Sequence, residues 1–335
     1  MTMKRKVLIL LIIAVVYGVA QMDSTGIRLI NQKKYSEAQS FFESAVKKNK
    51  NDAESHYYLA VALMLQQKHD DAQDEIDEAI DVNENVSRYH LLRGQILGQK
   101  AMTANVLSQG LMAPKIKNAF LRASELDPAN VEARVALYNY YVIAPGIMGG
   151  SIEKAFDQAN EVVKLNPFRG YLMLANYYGR VKKDTVVAEK QLKKAITAEP
   201  ERGSGYKQLG YLYMNWKRFD EARVQMQKFI ETEPKNPDSY DSFGDVLKEE
   251  QKYDQAIEKY HFALSIDKAF GASIYSLAEC YELKGEKQKA KETFQWFLTV
   301  EPQGRRADAA QKKNQRIIRT LCIQLSISKT LRRRT

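Results

Sequence analysis

Asp238, Asp241 and Asp245 follow one another at spacings of three and four residues, which places three carboxylates on one face of a helix. Such a row is either a solvated charged face or an acidic floor that attracts a basic or amine-bearing segment. His56 and His90 stand 34 residues apart and lack a carboxylate at ligand spacing, so no metal is expected there. Cys280, between Leu277 and Tyr281, reads as a buried thiol, and Cys322 falls in the C-terminal tail. The loop Pro145, Gly146, Gly149, Gly150 precedes Ser151, where backbone amides at a helix start attract anions. A P-loop would need a preceding strand and a Gly-Lys-Ser/Thr ending, and both are missing. The glycines therefore read as turn residues and Ser151 as a helix N-cap. No nucleophile–base arrangement stands out. With two cysteines and four histidines in 335 residues, the expectation is a protein that is not an enzyme and carries no cofactor.

What must position these residues is set by the body of the chain. A hydrophobic fraction of 44% is too high for a disordered chain, and the length suits two domains or one repeat array. The net charge of +10 is uneven: Lys4, Arg5 and Lys6 give +3, the stretch after Pro302 gives +9, and the body between is near −2. Nucleic acid is not an expected partner, because the tail arginines have no interleaved aromatic residues for stacking. Basic residues 1–6 lead into the apolar run 7–20. As a helix that run is about 21 Å long, short of the roughly 30 Å core of a bilayer. It reads as a secretory signal peptide, residues 1–20, cleaved after Ala20, the alternative being an uncleaved anchor. A cleaved chain would have no membrane span and would reside in a bacterial periplasm or envelope.

The body has a period of 34. Ala222, Ala256 and Ala290 keep that interval, as do Gly210, Gly244 and Ala278, and five of the eight prolines share one phase. In residues 204–234 an apolar stripe through Tyr206, Leu209 and Tyr213 and another through Phe219, Ala222, Met226 and Phe229 flank a turn, and Pro234 ends the second helix. Gly210 and Ala222 are small where two helix backbones approach. One such hairpin cannot bury its apolar face alone, so neighbours must stack. The small-residue pair, the aromatic after the turn and the closing proline resemble the tetratricopeptide repeat. The resemblance implies an all-α fold, a right-handed α-solenoid of about eight helix-turn-helix units across residues 21–302. Residues 303–335 would form a capping helix and then a frayed basic tail.

Two units depart from the period. Extra residues lie at about 98–113 in the third, and at about 144–151 in the fourth, where Ala136 precedes Ala155 by 19 instead of 12. Such insertions should emerge side by side as a lobe. The second, with Tyr138, Tyr140, Tyr141, Ala144, Pro145, Gly149, Gly150, Ser151, Lys154 and Ala155, resembles a repeat variant of exported bacterial proteins. In the tetratricopeptide repeat the first helix of each pair lines a groove. The resemblance then implies a partner-binding groove of Tyr57, Val61, Met64 and Leu91 in the early units. Lys207, Tyr211, Asp238, Asp241, Asp245, Tyr275 and Glu279 would line it in the late ones. The expected role is a scaffold binding a protein or peptide segment. The alternatives are an accessory or enzymatic envelope protein with a small-molecule pocket at the lobe, and a structural subunit of an envelope complex.

Overall fold

The computed structural model describes residues 25–332, with side chains to residue 320. The segment 1–20, read as a signal peptide, lies outside the described residues. All regular structure among the described residues is helical. The chain forms two compact units that meet in sequence at Asn166 and Pro167, where the sequence reading has one array.

The first unit holds α1 (residues 25–31), α2 (Tyr35–Lys48), α3 (Ala53–Leu65), α4 (His69–Val82), α5 (Ser87–Thr103), α6 (Val106–Leu126), α7 (Val131–Ile143) and α8 (Ile152–Leu165). α3, α5 and α7 each pack against the helix that follows, and the three adjoin in order. Phe42, Leu59, Ile76, Tyr89 and Ile96 form a shared core. The second unit holds α9 (Pro167–Asn176) and a π-helical turn (Tyr177–Lys182), then α10 (Thr185–Ala198), α11 (Gly203–Asn215) and α12 (Phe219–Thr232). After these come α13 (Pro237–Glu249), α14 (Tyr253–Ile266), α15 (Gly271–Leu283), α16 (Lys287–Val300) and α17 (Arg305–Arg332). Its core runs continuously through Leu209, Met226, Val246, Tyr260, Leu277 and Phe294.

Two devices make each hairpin. The first is the small residue. A side chain added at Gly26, Gly94, Gly210 or Gly244 would meet Phe42, Phe120, Met226 or Tyr260 of the partner helix. The separation is 16 residues in three of these pairs and 26 in Gly94–Phe120, which measures the first insertion at ten residues. The second is the turn. Lys33, Gln67, Lys183, Lys217, Gln251 and Gly285 all have φ between 59° and 79°. This left-handed conformation after the first helix redirects the chain, and five of the six positions accept it without glycine.

The histidines have a structural task. His56 Nε2 lies 3.0 Å from the Lys50 carbonyl, His90 Nε2 2.7 Å from that of Glu84, and Arg134 Nε donates to that of Pro128 at 2.9 Å. Each closes the loop onto the carbonyl six residues upstream, so the shared phase of His56 and His90 comes from the repeat.

Three expectations need correction. The extra residues at 98–113 form helix: they lengthen α5 and α6 to 17 and 21 residues, so this half of the lobe is an extended hairpin. In the fourth unit Ala136 is only half-buried, and the buried face runs through Leu137 and Tyr138. The helix starts there, Val131 and Ile152, lie 21 residues apart against 16 for Ala53 and His69, so the excess is five rather than seven. Finally, α17 continues as helix to Arg332 where a frayed tail was expected after Thr320.

Candidate functional site

In the second unit the edges of α11, α13, α15 and α17 carry a row of paired polar side chains. Lys207 on α11 contacts Asp238 on α13 at 2.5 Å. Asp245 receives the Tyr260 hydroxyl at 2.8 Å, Tyr211 at 3.2 Å and Ser276 at 3.4 Å, three donors from three helices. Lys248 reaches Glu279 at 3.0 Å, and Lys313 on α17 reaches Glu279 at 2.7 Å and Glu282 at 3.3 Å. Arg316 completes the row on Glu282. Pairs such as Glu279–Lys313 and Glu282–Arg316 lie 34 residues apart, so the period itself places them side by side.

Asp241 differs from its neighbours. Its side chain is 5% exposed, and its carboxylate accepts the Ser273 hydroxyl at 2.6 Å. Burial, and secondarily the charge of Asp245, push its pKa up to about 7, against the pull of the serine. Burial also opposes charge on Lys248 and Glu279. Asp245 and Glu279 nevertheless hold Lys248 above its usual pKa, while Lys313 and Lys248 hold Glu279 below its own. Cys280 is enclosed, and burial pushes its thiol up to about 12, which makes it inert as a nucleophile at neutral pH.

Above this floor lies a depression of about 400 Å³, bordered by Met214, Asp241, Asp245, Lys248, Tyr275 and Glu279, with Ala272 and Arg306 at its rim. The structure therefore brings together Asp241, Asp245, Tyr275 and Glu279 from the late groove set. It sets Lys207, Tyr211 and Asp238 beside them as paired supports. The expected acidic floor is a mixed-charge one: most of its carboxylates already hold a lysine, an arginine or a hydroxyl. Tyr260, Ser273, Ser276, Lys313 and Arg316 were not foreseen. The first three lie on helix faces that a linear pattern assigns to the core.

The early set sits in the first unit and is described by itself. Tyr57 stacks on Tyr89 at 5.2 Å between ring centroids, and the Arg88 guanidinium covers it at 5.0 Å. Glu54 accepts the Tyr89 hydroxyl at 2.6 Å and also holds Arg88. Val61 and Met64 are half-buried against the core, and Leu91 is half-buried on α5.

The inserted loop uses its own amides. Gly149 N–H bonds the Gly146 carbonyl at 2.9 Å, Gly150 N–H that of Pro145 at 3.1 Å, and Ser151 N–H that of Tyr141 at 3.1 Å. No amide of this group is left to hold an anion, in keeping with its reading as a turn. Gly149 has φ +91°, and a side chain at Gly150 would lie 1.8 Å from the Ala144 carbonyl. Ser151 caps α8 by accepting Lys154 N–H at 3.3 Å, as its type predicts. The Tyr140 hydroxyl donates to Ala113 O at 3.0 Å and also touches Met148 O, tying the two insertions together. Among the described residues no three His, Cys, Asp or Glu side chains are grouped as metal ligands. None of the described helices is long and apolar enough to cross a membrane.

Each unit is thus a run of α-solenoid built from helix-turn-helix repeats. Models of the tetratricopeptide repeat match residues 29–96, 205–236 and 272–303. A solved structure, the APC/C hetero-tetramer Cut9–Hcn1, aligns with a TM-score of 0.49 at 13% identity over 84% of this chain. The chain spans about half, 52%, of that structure's length. No match to a curated protein was found.

Proposed function

We propose that the chain is a protein-interaction scaffold whose late groove holds an extended protein segment over the floor of α13 and α15. The depression of about 400 Å³ carries the proposal, because it combines donors and acceptors with an apolar side. Lys248, Ser276 and Arg306 face Asp245, Glu249 and Glu279 there, with Met214 and Tyr275 as the apolar contacts. A floor with both kinds of polar group suits the alternating N–H and C=O of a main chain. Of its carboxylates, Asp241, Asp245 and Glu279 already hold a hydroxyl or a lysine, whereas Glu249 is exposed.

The basic-then-apolar residues 1–20 support an exported protein of a bacterial envelope, as does the Ala-Pro…Gly-Gly-Ser loop at 144–151. N-terminal sequencing of the chain made in a bacterial host tests export. A start at Gln21 is the expected result, and a retained Met1 contradicts cleavage. For the groove, a photo-crosslinking residue at Tyr275 should capture a partner from the host. Ala272→Trp, which fills the depression without touching the core, should abolish that capture at unchanged melting temperature. Capture that persists in Ala272→Trp overturns the groove reading.

A further inference from the structure

The two insertions in the first unit end in an apolar tip. Met102 closes α5, Val106, Leu107 and Leu111 open α6, Ile143 closes α7 and Ile147 sits in the short turn after it. These six side chains are 68–95% exposed, more than any other large apolar group among the described residues except Val186. The two insertions adjoin there: a side chain added at Gly110, between Leu107 and Leu111 on α6, would lie 3.8 Å from Met148, the neighbour of Ile147. The Tyr140 hydroxyl fastens the turn to α6 from below. Nothing within the unit needs this surface, because the core of the third repeat is already closed by Ile96 and Phe120.

On the α5–α6 side of the tip the charges have one sign, while Glu153 follows the turn at the start of α8. Between Glu84 and Glu125 there is no acidic residue. Of the basic residues in that stretch, Arg88, Arg93 and Lys100 are held by Glu54, Asp77 and Asp70 of neighbouring helices. Lys115 and Lys117, one and two turns beyond Leu111, have no acidic partner among the described residues, and the Lys117 ammonium lies against the loop at Gly149. A protruding apolar knob with unpaired lysines at its base has the composition of a surface that enters an anionic lipid interface: the apolar side chains sink among the acyl chains and the lysines meet the headgroups.

We propose that the tip formed by residues 102–111 and 143–148 docks on an anionic membrane surface. Two other occupants fit less well. A second copy of this chain in a symmetric contact would set Lys115 and Lys117 against their own kind. A partner helix needs a walled groove, whereas a side chain exposed as fully as Ile147 (95%) has no walls around it. The proposal does not depend on the groove, which lies in the other unit.

The test places a reporter at the tip of the full chain. Ile147→Trp is prepared beside the parent, whose Trp216 and Trp296 give the background. Vesicles of phosphatidylcholine with 30–50% (about) phosphatidylglycerol carry brominated acyl chains that quench only an inserted indole. Expected is a blue shift and strong quenching of the added tryptophan with the anionic vesicles, several-fold weaker with phosphatidylcholine alone. Lys115→Glu with Lys117→Glu should lower it at least tenfold in apparent affinity. Because the reading is local, attachment through residues 7–20 does not imitate it. An unchanged spectrum with anionic vesicles overturns the proposal. So does a blue shift that grows with protein concentration in the absence of lipid, which assigns the tip to a second copy. Equal quenching by both vesicle types rejects the anionic part. Ala272→Trp, measured likewise against its own background, leaves membrane binding unchanged, so this test and that of the groove fail separately.

Discussion

Lys313 on α17 lies 2.7 Å from Glu279 on α15, one repeat length earlier in the chain. The final helix thereby takes the place that the first helix of a ninth repeat would take, and its lysine also spreads over the rings of Tyr275 and Phe294 at 5.8 and 5.7 Å. The basic character after Pro302 has a use here: Lys313 and Arg316 neutralise Glu279 and Glu282.

Lys313→Ala should therefore destabilise the second unit by about 1–2 kcal/mol, through the loss of a partly buried charge-assisted hydrogen bond and of its packing. Lys313→Met, which keeps the packing, should lose roughly half as much. Urea unfolding followed by tryptophan fluorescence distinguishes them, and equal losses would deny the packing contribution.

Asp241 gives a pH signature. Its folded pKa, about 7, is above its unfolded value, so the folded state keeps a proton that the unfolded state has released. Its contribution to stability therefore falls as pH rises from about 4 to about 7 and is level above that. Relative to the parent, Asp241→Asn should gain stability across this window and melt higher by several degrees at pH 8. The difference in melting temperature at pH 5 and pH 8 decides; a constant difference contradicts the buried-carboxylate account.

Two glycines at the same phase should respond differently to alanine. At Gly244 the new methyl would lie 2.5 Å from the Tyr260 ring, which is fully buried and bonded to Asp245, so Gly244→Ala should lose about 1–3 kcal/mol. At Gly210 it meets the terminal methyl of Met226 at 2.8 Å, a flexible end that can move aside. Gly210→Ala should be within about 1 kcal/mol of the parent, because helix propensity offsets the crowding. Thermal unfolding of the two variants side by side checks the contrast.

The left-handed turn residues offer a gain. Gln251 has φ +64° and Lys217 +59°, conformations that favour glycine. Gln251→Gly or Lys217→Gly should raise stability by up to about 1 kcal/mol, read as a higher urea midpoint at unchanged slope. A loss at both sites would show that the side chains supply more than the backbone strain removes.

The helix pairs were legible because a period of 34 repeats a physical requirement. Gly210, Gly244 and Ala278 are small where backbones meet, and Ala222, Ala256 and Ala290 face them. For the same reason positions one repeat apart, such as Tyr211 and Asp245, become neighbours when hairpins stack. The first insertion was read as lobe material between the two helices, whereas it lengthens both. A ten-residue addition to a hairpin adds turns to both helices when its residues, here Met102 and Leu111 among others, do not break them. Ala136 misled because a small residue marks the close approach only when it faces the partner, and in α7 that face belongs to Leu137 and Tyr138.

By itself the sequence determined the helix-turn-helix repeat and its period, because these follow from local spacing and propensity. Only the tertiary structure decided the charge of the groove. Asp238, Asp241 and Asp245 form an acidic row in one dimension, whereas in the folded chain Lys207, Tyr211, Tyr260 and Ser273 reach them from three other helices. Electrostatic character belongs to side chains gathered within a few ångströms, and their gathering depends on helices that lie tens of residues apart.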